Sequence, residues 1–218
     1  MTGPDPDTAD DPTADPDEDV EVRPWWQSPL NLVTVAIAIA VLAGGVGYLV
    51  GNNRATPDPN AADIGFLHDM RFHHEQAVQM GLIYLDDAGI DGDLAVIARE
   101  IVMGQSIEIG RMIQLLRDFG APEASETTTA MAWMGAPVDD RQMPGYATDA
   151  QLQSLATVTG GEADRLFVQL MVAHHQGGIH MAQEATTRAA DHEVIAMAAS
   201  MASGQRDEIT ELLGLVAP

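Results

Sequence analysis

The sequence has 218 residues but contains no cysteine and no lysine, and only 5% of its residues are aromatic. The absence of cysteine excludes disulfide bonds, thiolate metal sites and a cysteine nucleophile. Basic residues are also scarce, since ten arginines stand against 33 acidic residues and leave a formal net charge of -23 at pH 7. A surface this acidic repels phosphate groups, so the composition predicts no nucleic-acid partner.

What is present at the N-terminus is an acidic segment followed by one long apolar run. Residues 1–23 consist mainly of Asp, Pro, Thr and Glu, a composition that cannot bury enough apolar surface to fold. We therefore predict a disordered acidic tail over residues 1–28. From Leu30 to Val50, 21 residues carry no charge, and as a helix they would span about 30 Å, the thickness of a bilayer core. This run predicts a single transmembrane anchor helix over residues 29–51.

A cleavable signal peptide is the alternative to an anchor, but its apolar region would be shorter and the segment before it short and basic. Arg23 and Arg54 flank the apolar run and give the positive-inside rule almost nothing to count. Charge alone therefore does not set the orientation. The run also contains Gly44, Gly45 and Gly47, which would let two anchors approach closely and permit a homodimer.

The rest of the chain has a helical apolar period, and no convincing alternating strand is present. Residues 52–60, which include Pro57 and Pro59, are predicted to form an extended linker. Capping and turn residues divide the domain of residues 61–218 into four helices. These predicted helices cover about 61–88, 92–118, 161–190 and 192–214.

Short connections pair these helices into two hairpins, residues 61–118 and 160–216. A crossover over residues 119–159 joins the hairpins and is predicted to include a short helix after Thr148 or Asp149. Two packed helical hairpins make a four-helix bundle. The predicted fold class is therefore all-α, a four-helix bundle preceded by one transmembrane helix.

The two hairpins repeat one another in sequence. The segment FLHDMRFHHEQAVQM at residues 66–80 returns as FVQLMVAHHQGGIHM at residues 167–181, with five identities at an offset of 101. A second segment, GQSIEI at 104–109, returns as GQRDEI at 204–209 at an offset of 100. One two-helix unit is therefore used twice.

Polar residues of both repeats fall on the faces that carry the core. Helical periodicity places each His-His pair, and also Glu108 and Glu208, among apolar residues. A carboxylate buried there requires a partner, a proton or a cation. Antiparallel pairing is expected to bring each glutamate towards the histidine pair of its own hairpin, Glu108 towards His73 and His74, and Glu208 towards His174 and His175.

Methionine occupies the place where bundle proteins that hold two irons have glutamate. Those proteins use Glu-x-x-His on two helices, whereas this chain has Met70-x-x-His73 and Met171-x-x-His174. Exchanging a hard carboxylate for a soft thioether while keeping imidazole favours copper, especially Cu(I), with iron and zinc as alternatives. The predicted metal ligands are His73, His74, His174, His175, Met70, Met171, Met80, Met181, Glu108 and Glu208.

A metal-free interior is the alternative to this site. The imidazoles can instead satisfy the buried glutamates and glutamines through hydrogen bonds and fix the bundle without a ligand. Methionine is also an adaptable core filler, so a Met at helical spacing alone indicates packing rather than ligation. The coincidence of Met with His on one face, in both repeats, is what favours a metal ion.

Other polar and soft residues have weaker assignments. Asp69 lies about 100° from Met70 around the helix and is expected to orient an imidazole or to remain in solvent. His180 and His192 have no counterpart in the first repeat, so we expect them at the surface. The crossover residues Met131, Trp133, Met134 and Met143 are expected to form a hydrophobic lid, with a second soft-metal site as the alternative.

Several motifs in this chain are those of one family. They are M-x-x-HH-x-x-A-x-x-M at 70–80, Q-x-x-EI at 105–109 and again at 205–209, MPG at 143–145, and M-x-x-HH-x-G at 171–177. In these motifs the chain resembles the bacterial family catalogued as domain of unknown function 305, over about residues 61–215. Tyr146 departs from the pattern where the family often has Met, and Gly178 departs where Ala is common. The first departure weakens the assignment of the crossover as a methionine-rich copper site.

The resemblance implies a ferritin-like four-helix bundle. Some members of that family are associated with copper binding and copper tolerance, and many are extracytoplasmic. It therefore implies a copper-binding, outward-facing domain on a single-pass membrane protein whose acidic tail lies in the cytoplasm.

We accordingly expect a membrane-anchored protein that stores, buffers or relays copper rather than a catalyst. No nucleophile-base pair or phosphate-binding glycine loop is visible in the sequence, so hydrolysis has little support. The first alternative is a ferritin-like di-metal oxidoreductase in which Glu108 and Glu208 bridge two ions. The second is a helical interaction module whose polar interior is structural only.

Overall fold

The computed structural model describes residues 24–55 and 57–215. Most of the predicted acidic tail, residues 1–23, therefore lies outside the described residues. The chain divides into two compact units, Met1–Arg54 and Ala55–Pro218. The first unit contains a single turn of 3-10 helix, Trp25–Gln27, and all but the last residue of helix α1, Pro29–Ala55.

Helix α1 has the length and composition of a membrane span. The segment Pro29–Gly51 has a mean hydropathy of 2.3, and none of it is buried. A signal sequence near an N-terminus would share these properties. The helix continues to Ala55, into the predicted linker, because Pro57 is the first residue whose ring prevents helical continuation. The extended connection is therefore shorter than predicted, leaving residues 57–60 before the next helix.

The second unit is a four-helix bundle. Its long helices are α2 (Ala61–Leu85), α3 (Gly92–Asp118), α5 (Gly161–Arg188) and α6 (His192–Leu215), and the predicted short helix in the crossover is α4 (Asp149–Leu155). Helices α2 and α3 form one hairpin and α5 and α6 the other, with α2 packed on α5 and α3 on α6. The predicted all-α bundle with one preceding apolar helix is confirmed.

Side-chain caps explain where these helices begin. Asn60 accepts hydrogen bonds from the backbone of Ala62 and Asp63 at the start of α2. Asp91 and Asp191 do the same at the starts of α3 and α6. Each cap satisfies backbone N–H groups that have no partner within the first helical turn.

Two aspartates hold the hairpins together through hydrogen bonds. Asp63 on α2 accepts from the backbone N–H groups of Ala190 and Asp191 in the α5–α6 turn, each at 3.0 Å. Asp164 on α5, which lies 101 residues later in the sequence, accepts from the backbone of Asp91 in the α2–α3 turn at 3.1 Å. The turn of each hairpin is thus held by the first helix of the other.

The crossover contains a small antiparallel ladder that periodicity did not predict. Strand β1 (Thr129–Ala130) pairs with β2 (Val138–Asp139). Strands of two residues are too short to show an alternating pattern, so periodicity cannot reveal them. Single 3-10 turns, Ala132–Met134 and Asp140–Gln142, flank the second strand.

Asp69 anchors this crossover, and the expectation that it faces solvent or an imidazole is wrong. Its side chain is buried and accepts hydrogen bonds from Met131 N at 2.7 Å and Trp133 Nε1 at 2.8 Å. Burial raises the pKa of the Asp69 carboxyl, while the hydrogen bonds from Met131 and Trp133 oppose that shift. The part of α2 around Asp69 is therefore covered by the crossover rather than by water.

The apolar core falls into two clusters. The first contains Phe66, Met70, Met112 and Met181 among others, and the crossover residues Met131 and Met143 are part of it. The second contains Met80, Tyr84, Phe167 and Met171 among others. The buried histidines belong to neither cluster and are equally inaccessible to solvent. A polar layer therefore interrupts the core of the bundle.

Candidate metal centre

The polar layer is built from the two His-His pairs. His73, His74 and His175 have no exposed surface, and His174 is 1% exposed. The rings of His73 on α2 and His174 on α5 stack with their centroids 3.6 Å apart and their planes at 28°. The two repeats therefore meet at these two imidazoles.

Each glutamate reaches one histidine of its own hairpin, as the repeat predicted. Glu108 Oε2 on α3 accepts a hydrogen bond from His74 Nε2 at 2.8 Å. Glu208 Oε2 on α6 lies 2.6 Å from His175 Nε2, but that contact is not aligned as a hydrogen bond. Both carboxylates are partly exposed, with 28% and 29% of their side-chain surface accessible. They connect the buried rings to the surface between α3 and α6.

Burial keeps the central imidazoles neutral. It lowers the pKa of His73 to about 3, helped by the charge of His74 and opposed by a hydrogen bond with Pro144. It also lowers the pKa of His174 well below the ordinary value, with His73 and His175 acting in the same direction. A neutral imidazole retains a lone pair, which is the form that binds a metal ion.

Several ring nitrogens of this layer form no hydrogen bond within the described residues. They are both nitrogens of His174, both nitrogens of His175, and the Nδ1 atoms of His73 and His74. Buried polar atoms are nearly always partnered, because an unmet one costs about 1–3 kcal/mol. Unpartnered imidazole nitrogens in such number are what a site for a soft or borderline cation would provide.

The four candidate methionines lie on both sides of the imidazole layer. All four are completely buried. Met70 and Met181 belong to one apolar cluster and Met80 and Met171 to the other. This division follows from the antiparallel packing of α2 on α5, which also stacks Tyr84 on Phe167 with ring centroids 4.3 Å apart. Each apolar cluster therefore contains one of these methionines from each hairpin.

In the described residues, histidine and carboxylate side chains alone do not form a metal site. Among the residues that the structure describes, no group of three or more His, Asp or Glu side chains could hold one metal ion. An ion held by these imidazoles would need sulfur from methionine to complete its ligands, since no cysteine is available. This donor set fits a soft ion better than iron or zinc.

The MPG motif covers the side of the layer formed by α2 and α5. Pro144 O lies 3.3 Å from His73 Nε2. The same carbonyl packs so closely on Gly177 that a Cβ at position 177 would overlap the oxygen. Gly145 has a φ of 77° and packs against the carbonyl of Ala173, so only glycine fits both the conformation and the space. Tyr146 stacks on Phe72 with centroids 5.4 Å apart, where the family resemblance had suggested methionine.

The opposite side, between α3 and α6, opens into a small cavity of about 60 Å³. Its lining residues are Gly104, Gln105, Glu108, Met201, Gly204, Gln205 and Glu208. Gln105 and Gln205 are 3% and 5% exposed, yet both amide atoms of Gln105 and Oε1 of Gln205 form no hydrogen bond within the described residues. The predicted ligand set omitted these glutamines, although the repeated GQ of the second motif was a signal for them.

Larger cavities lie away from the histidine layer. One of them, of about 380 Å³, lies between α2 and the crossover and is lined by His68, Arg71 and Glu75 among others. His68 lies at its edge with Nε2 2.7 Å from Pro122 O. His180 and His192 are exposed, as expected. None of these three histidines joins the central group.

The bundle is similar to known proteins in sequence and in fold. A family model described as domain of unknown function (DUF305) matches residues 63–216. A crystal structure of a DUF305 protein from Streptomyces coelicolor, described as secreted, has 36% identity and a TM-score of 0.65, covering 71% of this chain and 91% of that chain. A DUF305 fragment from Deinococcus radiodurans has 25% identity and a TM-score of 0.63, covering 73% of this chain and 97% of that chain.

The fold is also similar to that of CopM. Its Cu(I)-bound structure has 27% identity and a TM-score of 0.51, covering 70% of this chain and 94% of that chain. The Ag-bound and Cu(II)-bound forms of CopM match at 25% identity with the same TM-score of 0.51. No curated protein matches the chain.

Proposed function

Because the chain belongs to the family of domain of unknown function 305, we propose that its four-helix bundle binds copper in the buried layer of histidines and methionines. The observation that carries the proposal is the set of buried, unpartnered imidazole nitrogens of His73, His74, His174 and His175. A similarity to CopM, whose structures contain Cu(I), Cu(II) or Ag, supports the same ion class. Copper is cargo in this proposal and not a resident cofactor.

The donor set favours Cu(I) over harder ions. Imidazole nitrogens lie between two pairs of buried thioethers, Met70 with Met181 and Met80 with Met171, and thioethers are soft ligands that prefer Cu(I). Iron and zinc generally require three or four nitrogen, oxygen or thiolate ligands. The described residues bring together no such group of histidines and carboxylates.

Glu108 and Glu208 have a supporting role in this proposal. Each lies against the Nε2 atom of one histidine, and a carboxylate in that position fixes the tautomer and orientation of a ligating ring. They also remain candidate ligands for Cu(II), which accepts oxygen donors more readily than Cu(I) does.

We further propose that α1 anchors the chain in the cell membrane, with the N-terminus in the cytoplasm and the bundle outside it. The span Pro29–Gly51 supports an anchor or a signal sequence. A related structure described as a secreted protein supports an extracytoplasmic domain. The protein would then buffer, store or relay copper outside the cytoplasm.

Anaerobic titration of the full chain with Cu(I) against a chromophoric chelator tests the function. We expect tight Cu(I) binding by the wild type. In His73→Ala/His174→Ala the affinity should fall by more than about a hundredfold, because loss of a supporting residue alone typically costs 10–100-fold. The matched control is His180→Ala/His192→Ala, which removes two exposed imidazoles and should bind as the wild type does.

Other results would select a different function. Equal affinity in both double variants would remove His73 and His174 from the site. Iron in the purified protein together with oxygen-dependent turnover would favour a di-metal oxidoreductase. Unchanged melting temperature with Cu(I), Cu(II), Zn(II) and Fe(II) would favour a metal-free interaction module, because a ligand of the folded state must stabilise that state.

A further inference from the structure

The repeated GQ-x-x-EI segments of both hairpins meet at the cavity between α3 and α6. Gly104, Gln105 and Glu108 line it from α3, and Gly204, Gln205 and Glu208 line it from α6. The glutamates are partly exposed, whereas the glutamines are buried. The cavity therefore leads from a carboxylate rim to an amide floor.

Both the carboxylate rim and the amide floor of the cavity are chemically suited to a cation. The lining residues include two carboxylates and no basic side chain. The buried amide oxygens of Gln105 and Gln205 have no hydrogen-bond partner within the described residues. Oxygen donors of this kind stabilise a cation that has lost part of its hydration shell.

The path ends at the histidine layer. The rim carboxylates of Glu108 and Glu208 lie 2.8 Å and 2.6 Å from ring nitrogens of His74 and His175. A side chain built on Gly178, one turn after His174 on α5, would overlap Gln205 Oε1. The glutamine floor is therefore directly above the backbone of the helix that carries His174 and His175.

The opposite side of the histidine layer, formed by α2 and α5, is closed by the crossover. The MPG turn packs its backbone onto α5 at Gly177 and Ala173, and Gln76 Nε2 and Oε1 bond Ala147 O and N at 2.7 Å and 2.6 Å. An ion entering there would have to displace this part of the crossover. Between α3 and α6, by contrast, a Cβ on Gly104 or Gly204 would meet nothing within 4 Å.

We propose that the α3–α6 cavity is the port through which copper enters and leaves the histidine layer, with Gln105 and Gln205 as a transient oxygen-donor station on the way. This inference rests on the proposed copper function and adds the route of the ion. The two glycines keep the port open, since any longer side chain at these positions stands at its mouth.

Plugging the mouth tests the port without touching a candidate ligand. The variant is Gly104→Leu/Gly204→Leu, and the matched control is Gly110→Leu/Gly214→Leu, since Gly110 and Gly214 lie on the same two helices, also have open space and do not line the cavity. The full chain in detergent is loaded with Cu(I) and mixed with excess bathocuproine disulfonate, whose colour reports release. We expect release to slow by about tenfold or more, a barrier increase of about 1.4 kcal/mol, while the equilibrium affinity stays that of the wild type.

A second readout needs no metal. Met201 is buried and lines the port, so its oxidation by hydrogen peroxide, followed by peptide mass spectrometry, should slow in the plugged variant. Met134 on the crossover should oxidise equally in all three proteins and serves as the internal reference.

The outcomes separate the route from the function. Wild-type release and Met201 oxidation rates in the plugged variant would overturn the port and leave the copper function intact. An equilibrium affinity that falls with the plug would overturn it too, because the glycines would then belong to the site itself. A wild-type chain that takes up no Cu(I) would remove the copper function and the port together.

Discussion

At the scale of single residues, the Tyr84 hydroxyl makes stability depend on pH in the alkaline range. It donates to Asp164 Oδ1 at 2.6 Å, and burial, followed by that hydrogen bond and the charges of Asp164, Asp91 and Asp87, raises the tyrosine pKa. The unfolded chain loses this proton near pH 10, while the folded chain keeps it. Above that pH the unfolded state binds fewer protons, so stability falls as pH rises.

We therefore expect the unfolding free energy to drop with pH above about 10, and Tyr84 to contribute up to about 1.4 kcal/mol per pH unit. Tyr84→Phe keeps the ring stacked on Phe167 and should abolish that contribution, at the cost of about 1 kcal/mol at neutral pH from the lost hydrogen bond. Urea unfolding at several pH values measures both. Equal slopes for the two proteins would contradict the assignment.

Sequence reasoning succeeded for residues whose role follows from helical period and failed for those held by distant backbone. The inward direction of the His-His pairs follows from 3.6 residues per turn, and all four rings are buried. Asp69 has the same local signal as any surface aspartate. Its partners, Met131 and Trp133, lie more than sixty residues away, and no short-range pattern identifies such a contact.

At the scale of elements, Asp69 joins α2 to the crossover. One of its partners, Met131, has a φ of 60°, a left-handed conformation that costs a side-chain-bearing residue about 1–2 kcal/mol. The hydrogen bond from Met131 N to Asp69 offsets this cost. Helix α2 and the irregular segment above it therefore depend on one buried carboxylate.

Asp69→Ala should lower the unfolding free energy by about 3 kcal/mol, because two donors lose their charged acceptor. The control is Asp118→Ala, an exposed aspartate whose loss should change the value by less than about 0.5 kcal/mol. Urea unfolding of the full chain in detergent gives both numbers. Similar, small losses in the two variants would show that the crossover is held by its apolar contacts instead.

Helix positions were more predictable than the crossover. Caps such as Asp91 and Asp191, and an unbroken apolar period, defined α3 and α6 to within a residue of their observed ends. The crossover is held by single contacts from Asp69 and Gln76 and by glycines in close approach to α5. Such contacts depend on tertiary geometry, so periodicity reveals neither the short ladder nor the closed side of the histidine layer.

At the scale of the whole molecule, the absence of cysteine makes the proposed orientation directly testable. Each of the variants Thr8→Cys and Ala150→Cys would carry the only thiol of the chain. In intact cells a membrane-impermeant maleimide should label Ala150→Cys, on exposed α4, and should label Thr8→Cys only after permeabilisation.

The reverse labelling pattern would place the bundle in the cytoplasm. A mature chain that lacks the α1 segment by mass spectrometry would identify that helix as a cleaved signal and remove the anchor. Sequence could predict the apolar span but not its orientation, since one arginine on each side gives no asymmetry.

Because Asp63 and Asp164 each hold the turn of the other hairpin by hydrogen bonds, one hairpin alone is not a smaller version of the domain. A chain with only one hairpin would have its turn held by these hydrogen bonds only if it docked against a second such chain in the same antiparallel arrangement. In the present molecule the two hairpins supply these contacts to each other within one chain. The two halves differ where the crossover is held, because Asp69 and Gln76 in the first half correspond to Leu170 and Gly177 in the second.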